Sequence, residues 1–229
     1  MMKATGIWLK TAFSNSEILY WVLKLSINNV YQRRSSQDKE ICIEGFPRSG
    51  NTFLYHYFSF FNPGTKVSHH VHAPIQVKLA VRHKIPCILV VREPIQTIAS
   101  LYAVDEKISI RQALSYYKDF YYGVLPYLDD VYVVDNSDLN DVTTHVIDKV
   151  NAEFGTQFNV GESCDDSLSK IKENIRKSND GNPQAMLVAL PSEEKERIKN
   201  KMVERIKAHP AYAEAEALFS QVRQHRIVC

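Results

Sequence analysis

With 229 residues, 45% hydrophobic and 24% charged, the chain suits one domain, with or without a small appendage, and is long enough for a sizeable core. A formal net charge of +2 does not by itself imply a nucleic-acid partner, although it leaves room for a local anion site. Cys42, Cys87, Cys164 and Cys229 are scattered, with no CxxC pair and no metal-ligand spacing, and Cys42 and Cys87 sit in apolar runs that predict reduced core residues.

The amino-terminal part carries no standard signal peptide. Its most hydrophobic segment, ILYWVLKLSI (18–27), contains Lys24 and falls short of the roughly 20 apolar residues a membrane span needs. Residues 1–37, with five basic side chains against one acidic, predict a helical extension packed on the main domain. Peripheral contact with a membrane surface or a partner is the second reading. RRSSQDKE (33–40) reads as a polar linker, so the main α/β domain is expected over 38–229. A first strand is predicted at 41–46 and a helix at 51–61, followed by a Pro-Gly turn at 63–64 and the histidine-rich segment SHHVHAP (68–74). Next come a helix over about 74–84, a buried strand Cys87–Val91 and a helix opened by Pro94. A long aromatic helix is expected over 109–127, a third buried strand at 131–135 and helical periodicity near 143–154. From 167 to 226 the chain reads as charged helix broken by SNDGNP (178–183) and His209-Pro210. Strands alternating with helices predict an α/β fold, three layers with a mainly parallel central sheet of the P-loop NTPase-like kind.

Four constellations carry chemistry. In ICIEGFPRSGNT (41–52) a strand enters a glycine turn that opens a helix, an arrangement that surrounds a phosphate with backbone N–H groups or serves simply as a turn. Arg48 adds a guanidinium fork, and Ser49 and Thr52 add hydroxyls. Gly50 permits close approach, and Asn51 stands where a P-loop has lysine. In VVREPIQTIAS, Arg92 ends a buried strand, where open α/β sheets bind ligands, and Ser100 lies about two turns down the next helix. Arg92 could instead pair with Glu93 or Glu106. His69, His70 and His72 invite a metal reading, but no further ligand stands at convincing spacing, whereas a general base needs only one of them. Arg176 and Lys177 end a helix before a Gly181-containing loop; they could close over an anion or merely complement the helix dipole.

GFPRSGNTFL, HAP, LVVREPIQTIASLY, VYVVDNSDL and IRKSNDGNP, in this order, resemble the sulfotransferase family from about 41 to 205. The resemblance implies 3′-phosphoadenosine 5′-phosphosulfate as donor and adenosine 3′,5′-bisphosphate as product, with no metal. It also implies a cytoplasmic enzyme. It places the 5′-phosphosulfate on Arg48, Ser49, Gly50, Asn51 and Thr52 and the 3′-phosphate on Arg92 and Ser100, with Arg176 and Lys177 assisting. It makes His72 the base, with His70 as the alternative because some members carry lysine there. Departures from the family pattern are Arg48 for lysine, Asn51 for threonine, Asn136 and Ser137 for tyrosine and glutamate, and Ser178 for glycine.

Sulfuryl transfer to a hydroxyl or amine of a small-molecule or glycan acceptor is therefore expected. A P-loop small-molecule kinase, with Asp135 as the Mg²⁺ carboxylate, and a non-catalytic nucleotide-binding protein are the alternatives. The aromatic run YYKDFYY (116–122) reads either as an acceptor wall or as a buried helix face, and the oligomeric state is left open.

Overall fold

The computed structural model describes residues 33–161, 164–178 and 193–228. Four strands, β1 (Ile41–Gly45), β2 (Val67–His69), β3 (Cys87–Val91) and β4 (Tyr132–Asp135), form a parallel sheet in the order β2-β1-β3-β4. The helices among the described residues are α1 (Asn51–Phe61), α2 (Pro74–Arg82), α3 (Pro94–Val104), α4 (Ile110–Val124), α5 (Leu139–Phe154), α6 (Asp165–Lys177), α7 (Glu193–Lys207) and α8 (Tyr212–Arg223).

Side chains of a strand alternate between the two faces of its sheet, and both faces here are covered. Ile41, Ile43, Ile88, Val90 and Val134 pack with Leu54 and Phe58 of α1, Ile147 of α5 and Ile171 of α6. Cys42, Cys87, Leu89, Val91 and Val133 pack on the opposite side with residues of α2, α3, α4, α7 and α8. This is the expected three-layer α/β fold with a parallel sheet. Cys42 and Cys87 are free, fully buried and opposite each other in register.

The strand order dictates where a ligand fits. From β1 the chain crosses through α1 on one face to β2, then through α2 on the other face to β3, so β2 and β3 flank β1 on opposite sides. The connections diverge at the carboxyl ends of β1 and β3 and leave a crevice there.

β1, α1, β3 and the start of α3 lie where the sequence predicts them. The exception among the strands is β2, which the sequence reads only as a histidine-rich segment. Three residues at a sheet edge are too short for alternation to show. The aromatic helix ends at Val124, and Pro126 falls in a 3-10 turn, Leu125–Asp130. The polar segment 33–40 is docked rather than free: the Ser35 N–H donates to Gln76 Oε1 (2.6 Å), and its hydroxyl lies 2.8 Å from that of Ser68. Most of the predicted 1–37 extension and the predicted loop around Gly181 lie outside the described residues.

Candidate active site

A cleft of about 350 Å³ opens at this crevice, lined by Pro47, Arg48, Gly50, Asn51, Thr52, Phe53, His72, Arg92, Ser100, Asn136 and Lys172. Its described lining holds three cationic side chains, Arg48, Arg92 and Lys172, and no carboxylate. A larger hollow of about 590 Å³ lies at the amino-terminal ends of the strands. It is open, mixes Lys39 and Lys84 with Glu40, and lacks such convergence.

The loop after β1 is anchored from below. Phe46 is fully buried with its ring 4.7 Å from that of Tyr116 and 5.2 Å from that of Tyr117 on α4. The Ser49 N–H closes a turn onto the Phe46 carbonyl (3.2 Å). Arg48 (φ 69°) and Gly50 (φ 111°) both take left-handed backbone. A Cβ at position 50 would meet Asn136 Nδ2 at 2.5 Å and Leu139 Cδ1 at 2.8 Å, so conformation and space both demand glycine. Gly50 is also the N-cap of α1 and offers no side-chain cap, which leaves the first-turn N–H groups and the helix dipole available to an anion.

Asn51 explains the absent lysine. Its side chain points inward and is buried, and its Nδ2 donates to the carbonyls of Gly45 and Phe46, each at 3.0 Å. The residue therefore acts as a strut beneath the loop while still forming part of the cleft wall. Ser49 departs from its expected place: its side chain is fully buried beside the Tyr121 hydroxyl and does not line the cleft.

The two arginine motifs join directly. Arg48 Nε donates to Ser100 Oγ (3.1 Å), and Arg92 donates from one terminal nitrogen to the Arg48 carbonyl (3.0 Å). The Arg92 carbonyl in turn accepts from the Tyr117 hydroxyl (2.8 Å). Burial draws both guanidinium groups below their ordinary pKa. The charge of Arg92 adds to the effect at Arg48, while Glu196, Glu93 and Asp135 oppose it at Arg92. Lys195, buried at the start of α7, is drawn down in the same way by burial and by Arg48. Crowding like charges is unfavourable, and an anion in the cleft would relieve it.

His72 is held from three sides. Its N–H donates to Glu44 Oε1 (3.1 Å), its carbonyl accepts from the Tyr116 hydroxyl (3.1 Å), and its Nδ1 lies 2.8 Å from the Gly45 carbonyl. A carbonyl can only accept, so Nδ1 carries the proton, which also faces Glu44 Oε1 at 3.5 Å, and in the neutral ring the lone pair is on Nε2. The left-handed backbone of His72 (φ 55°) is fixed by these bonds. Glu44 is a fully buried carboxylate that also accepts from the N–H groups of Gly45 (3.0 Å) and Val71 (3.0 Å), pinning the segment after β2 to the end of β1. His70 does not line the cleft; Thr52, which does, bonds it at 2.9 Å. Burial, then the neighbouring His72 and His69, push the His70 ring down to about 2, which makes it a poor proton acceptor.

Arg176 and Lys177 are exposed at the end of α6, Lys177 pairs with Glu173 (2.8 Å), and neither lines the cleft. Lys172, one turn earlier on the same helix, does. The sequence reading missed Glu44, Lys172 and Lys195. A glutamate inside the apolar strand ICIEG was the available signal for the first; the other two depend on how α6 and α7 dock. Asp135, the candidate Mg²⁺ ligand, has both oxygens engaged: Oδ1 accepts from the Ser137 N–H and hydroxyl (each 3.0 Å), and Oδ2 pairs with Arg223 Nε (2.6 Å). No group of three or more His, Cys, Asp or Glu placed to hold a metal ion occurs among the described residues.

No family model matches the chain, and a search of curated proteins finds no match. Among solved structures, mouse sulfotransferase SULT7A1 complexed with PAP aligns over 93% of this chain and 91% of that one, at 12% identity and a TM-score of 0.45. A likeness that distant carries no functional weight.

Proposed function

We propose that the protein is a sulfotransferase that moves a sulfuryl group from 3′-phosphoadenosine 5′-phosphosulfate to a hydroxyl or amine of a small-molecule or glycan acceptor. The observation that carries this reading is the convergence of two linked, half-buried guanidinium groups on a carboxylate-free cleft beside a histidine whose Nδ1–H is held by a backbone carbonyl. The sequence resemblance adds the identity of the donor.

The residues present suit such a donor. It carries phosphate at two ends, and the cleft offers cations from two separate strand ends, an uncapped helix start and the aromatic ring of Phe53, against which a planar base can pack. When bound, the donor supplies the activated sulfuryl group. Arg48, Gly50 and Thr52 hold its 5′ end, and Arg48 balances charge that develops on the leaving oxygen. Arg92 and Ser100 hold the 3′-phosphate, with Lys172 adding positive charge at the rim. His72 takes the acceptor's proton at Nε2, while its Nδ1–H bond to Gly45 keeps that lone pair in place.

A Mg²⁺-dependent kinase fits less well. Asp135 is committed to Arg223 and to the turn that follows it, and Asn51 is committed to loop carbonyls. Among the described residues no helix is long and apolar enough to cross a membrane.

Calorimetric titration with adenosine 3′,5′-bisphosphate, ADP and ATP, with and without Mg²⁺, tests the reading. The bisphosphate should bind tightest and independently of Mg²⁺; a Mg²⁺-dependent preference for ATP would overturn it. With an accepted substrate in hand, His72→Ala should lower kcat about 10²–10⁴-fold and leave bisphosphate affinity unchanged.

A further inference from the structure

The histidine-rich segment contains two rings that the mechanism above does not use. His70 Nε2 lies 2.9 Å from Thr52 Oγ1, and His70 Nδ1 lies 2.6 Å from His69 Nδ1. The His69 ring is itself stacked on Tyr55, with centroids 3.8 Å apart and planes 16° apart. Thr52 lines the cleft, so this chain of contacts leads from the half-buried end of the edge strand to the cleft.

We propose that His69, His70 and Thr52 form a proton-ordered relay that aims the Thr52 hydroxyl proton at a phosphate in the cleft. The proposal rests on the reading of the cleft as a phosphate site and deepens it. Two ring nitrogens 2.6 Å apart share one hydrogen, and each neutral imidazole carries a single N–H. Both rings are held neutral: burial foremost, with Arg33 and the neighbouring imidazoles adding to it, pushes His69 down to about 3 and His70 down to about 2.

Only two proton arrangements remain. In one, His69 Nδ1–H donates to His70 Nδ1, so the His70 proton sits on Nε2 and donates to Thr52 Oγ1. The hydroxyl proton of Thr52 is then available to an anion. In the other, His70 Nδ1–H donates to His69, and His70 Nε2 accepts the Thr52 proton. Thr52 then turns only lone pairs toward the cleft. A phosphate oxygen is an acceptor, so it is compatible with the first arrangement and repelled by the second. His70 is thereby a positioning residue that acts through Thr52.

Nitrogen-15 NMR of the histidine-labelled full chain, saturated with adenosine 3′,5′-bisphosphate, reads the tautomers directly. Signals are assigned with His69→Phe and His70→Gln. The expected result is a proton on Nε2 of His70 and on Nδ1 of His69; a proton on Nδ1 of His70 in the complex would overturn the relay. His70→Leu should weaken bisphosphate binding about tenfold. His70→Gln, whose amide can donate where Nε2 does, should restore it to within about threefold of wild type. Equal behaviour of the two variants would also count against the proposal. Failure of the wild-type chain to bind the bisphosphate would remove the cleft reading and the relay together, whereas binding with the opposite tautomer would remove the relay alone.

Discussion

Asn51 and Arg92 show how a single side chain can shape the cleft, one from beneath its loop and one from its wall. Asn51 ties two carbonyls of the loop from beneath. Asn51→Ala removes two buried hydrogen bonds, leaving the Gly45 carbonyl to His72 Nδ1–H and the Phe46 carbonyl to the Ser49 N–H, and should cost about 1–3 kcal/mol, measured as a lower urea midpoint. Asn51→Lys, which restores the P-loop pattern, should destabilise at least as much and confer no ATP binding, because a buried ammonium there lacks an anionic partner. Arg92 combines a bond to the Arg48 carbonyl with a face on the cleft. Arg92→Ala should therefore weaken bisphosphate binding about 10–100-fold, the range of a hydrogen bond to a charged group. Arg92→Lys should recover little of it, since one ammonium cannot replace a planar fork that spans both tasks. Unchanged affinity in Arg92→Ala would remove the two-phosphate assignment. Arg48, Arg92, Ser100 and His72, all of which line the cleft, could be singled out from the local motifs. The burial of Asn51 and Ser49 could not, because neighbouring residues in a loop give no sign of which faces inward.

At the level of elements, the site depends on how the loop after β1 meets its neighbours. Gly50 passes close to the turn that follows β4, and any side chain there would collide with Asn136 and Leu139 as well as oppose a φ of 111°. Gly50→Ala should lower stability by about 1–3 kcal/mol and weaken bisphosphate binding as the loop shifts; thermal melting and titration on the same sample would check both. The tyrosines of α4 settle the alternative left open for the aromatic run. Tyr116, Tyr117 and Tyr121 are buried, and the first two hold the carbonyls of His72 and Arg92. The helix is therefore a brace for the loops that carry the site, and its hydroxyls would be hard to infer from a pattern that fits any buried aromatic face. Tyr122, 48% exposed, is the outward-facing member of the run.

For the whole molecule, the edge of the sheet gives stability a pH dependence. His69 and His70 have folded-state pKa values near 3 and 2, against an ordinary 6.5. Between these limits the unfolded chain binds protons that the folded chain does not, so stability rises with pH up to about 6.5 and falls as pH drops toward 3. Chemical denaturation across pH 3–7 should show this loss. His69→Phe should make the curve shallower by the contribution of one proton; an unaltered slope would contradict the burial of that ring as a neutral base.

The sequence alone determined the identity and order of β1, β3 and β4, the glycine turn with its helix, and the pairing of Arg48 with Arg92 and Ser100 as a candidate anion site. Those features are written in local patterns: apolar runs long enough for buried strands, proline at helix starts, and side-chain chemistry at strand ends. Only the tertiary structure decided that Glu44 pins the histidine segment, that Lys172 rather than Arg176 or Lys177 reaches the cleft among the described residues, and that Asp135 belongs to Arg223. Each of these is a contact between residues distant in the chain, fixed by the parallel order of the strands and the docking of the helices on the two faces of the sheet.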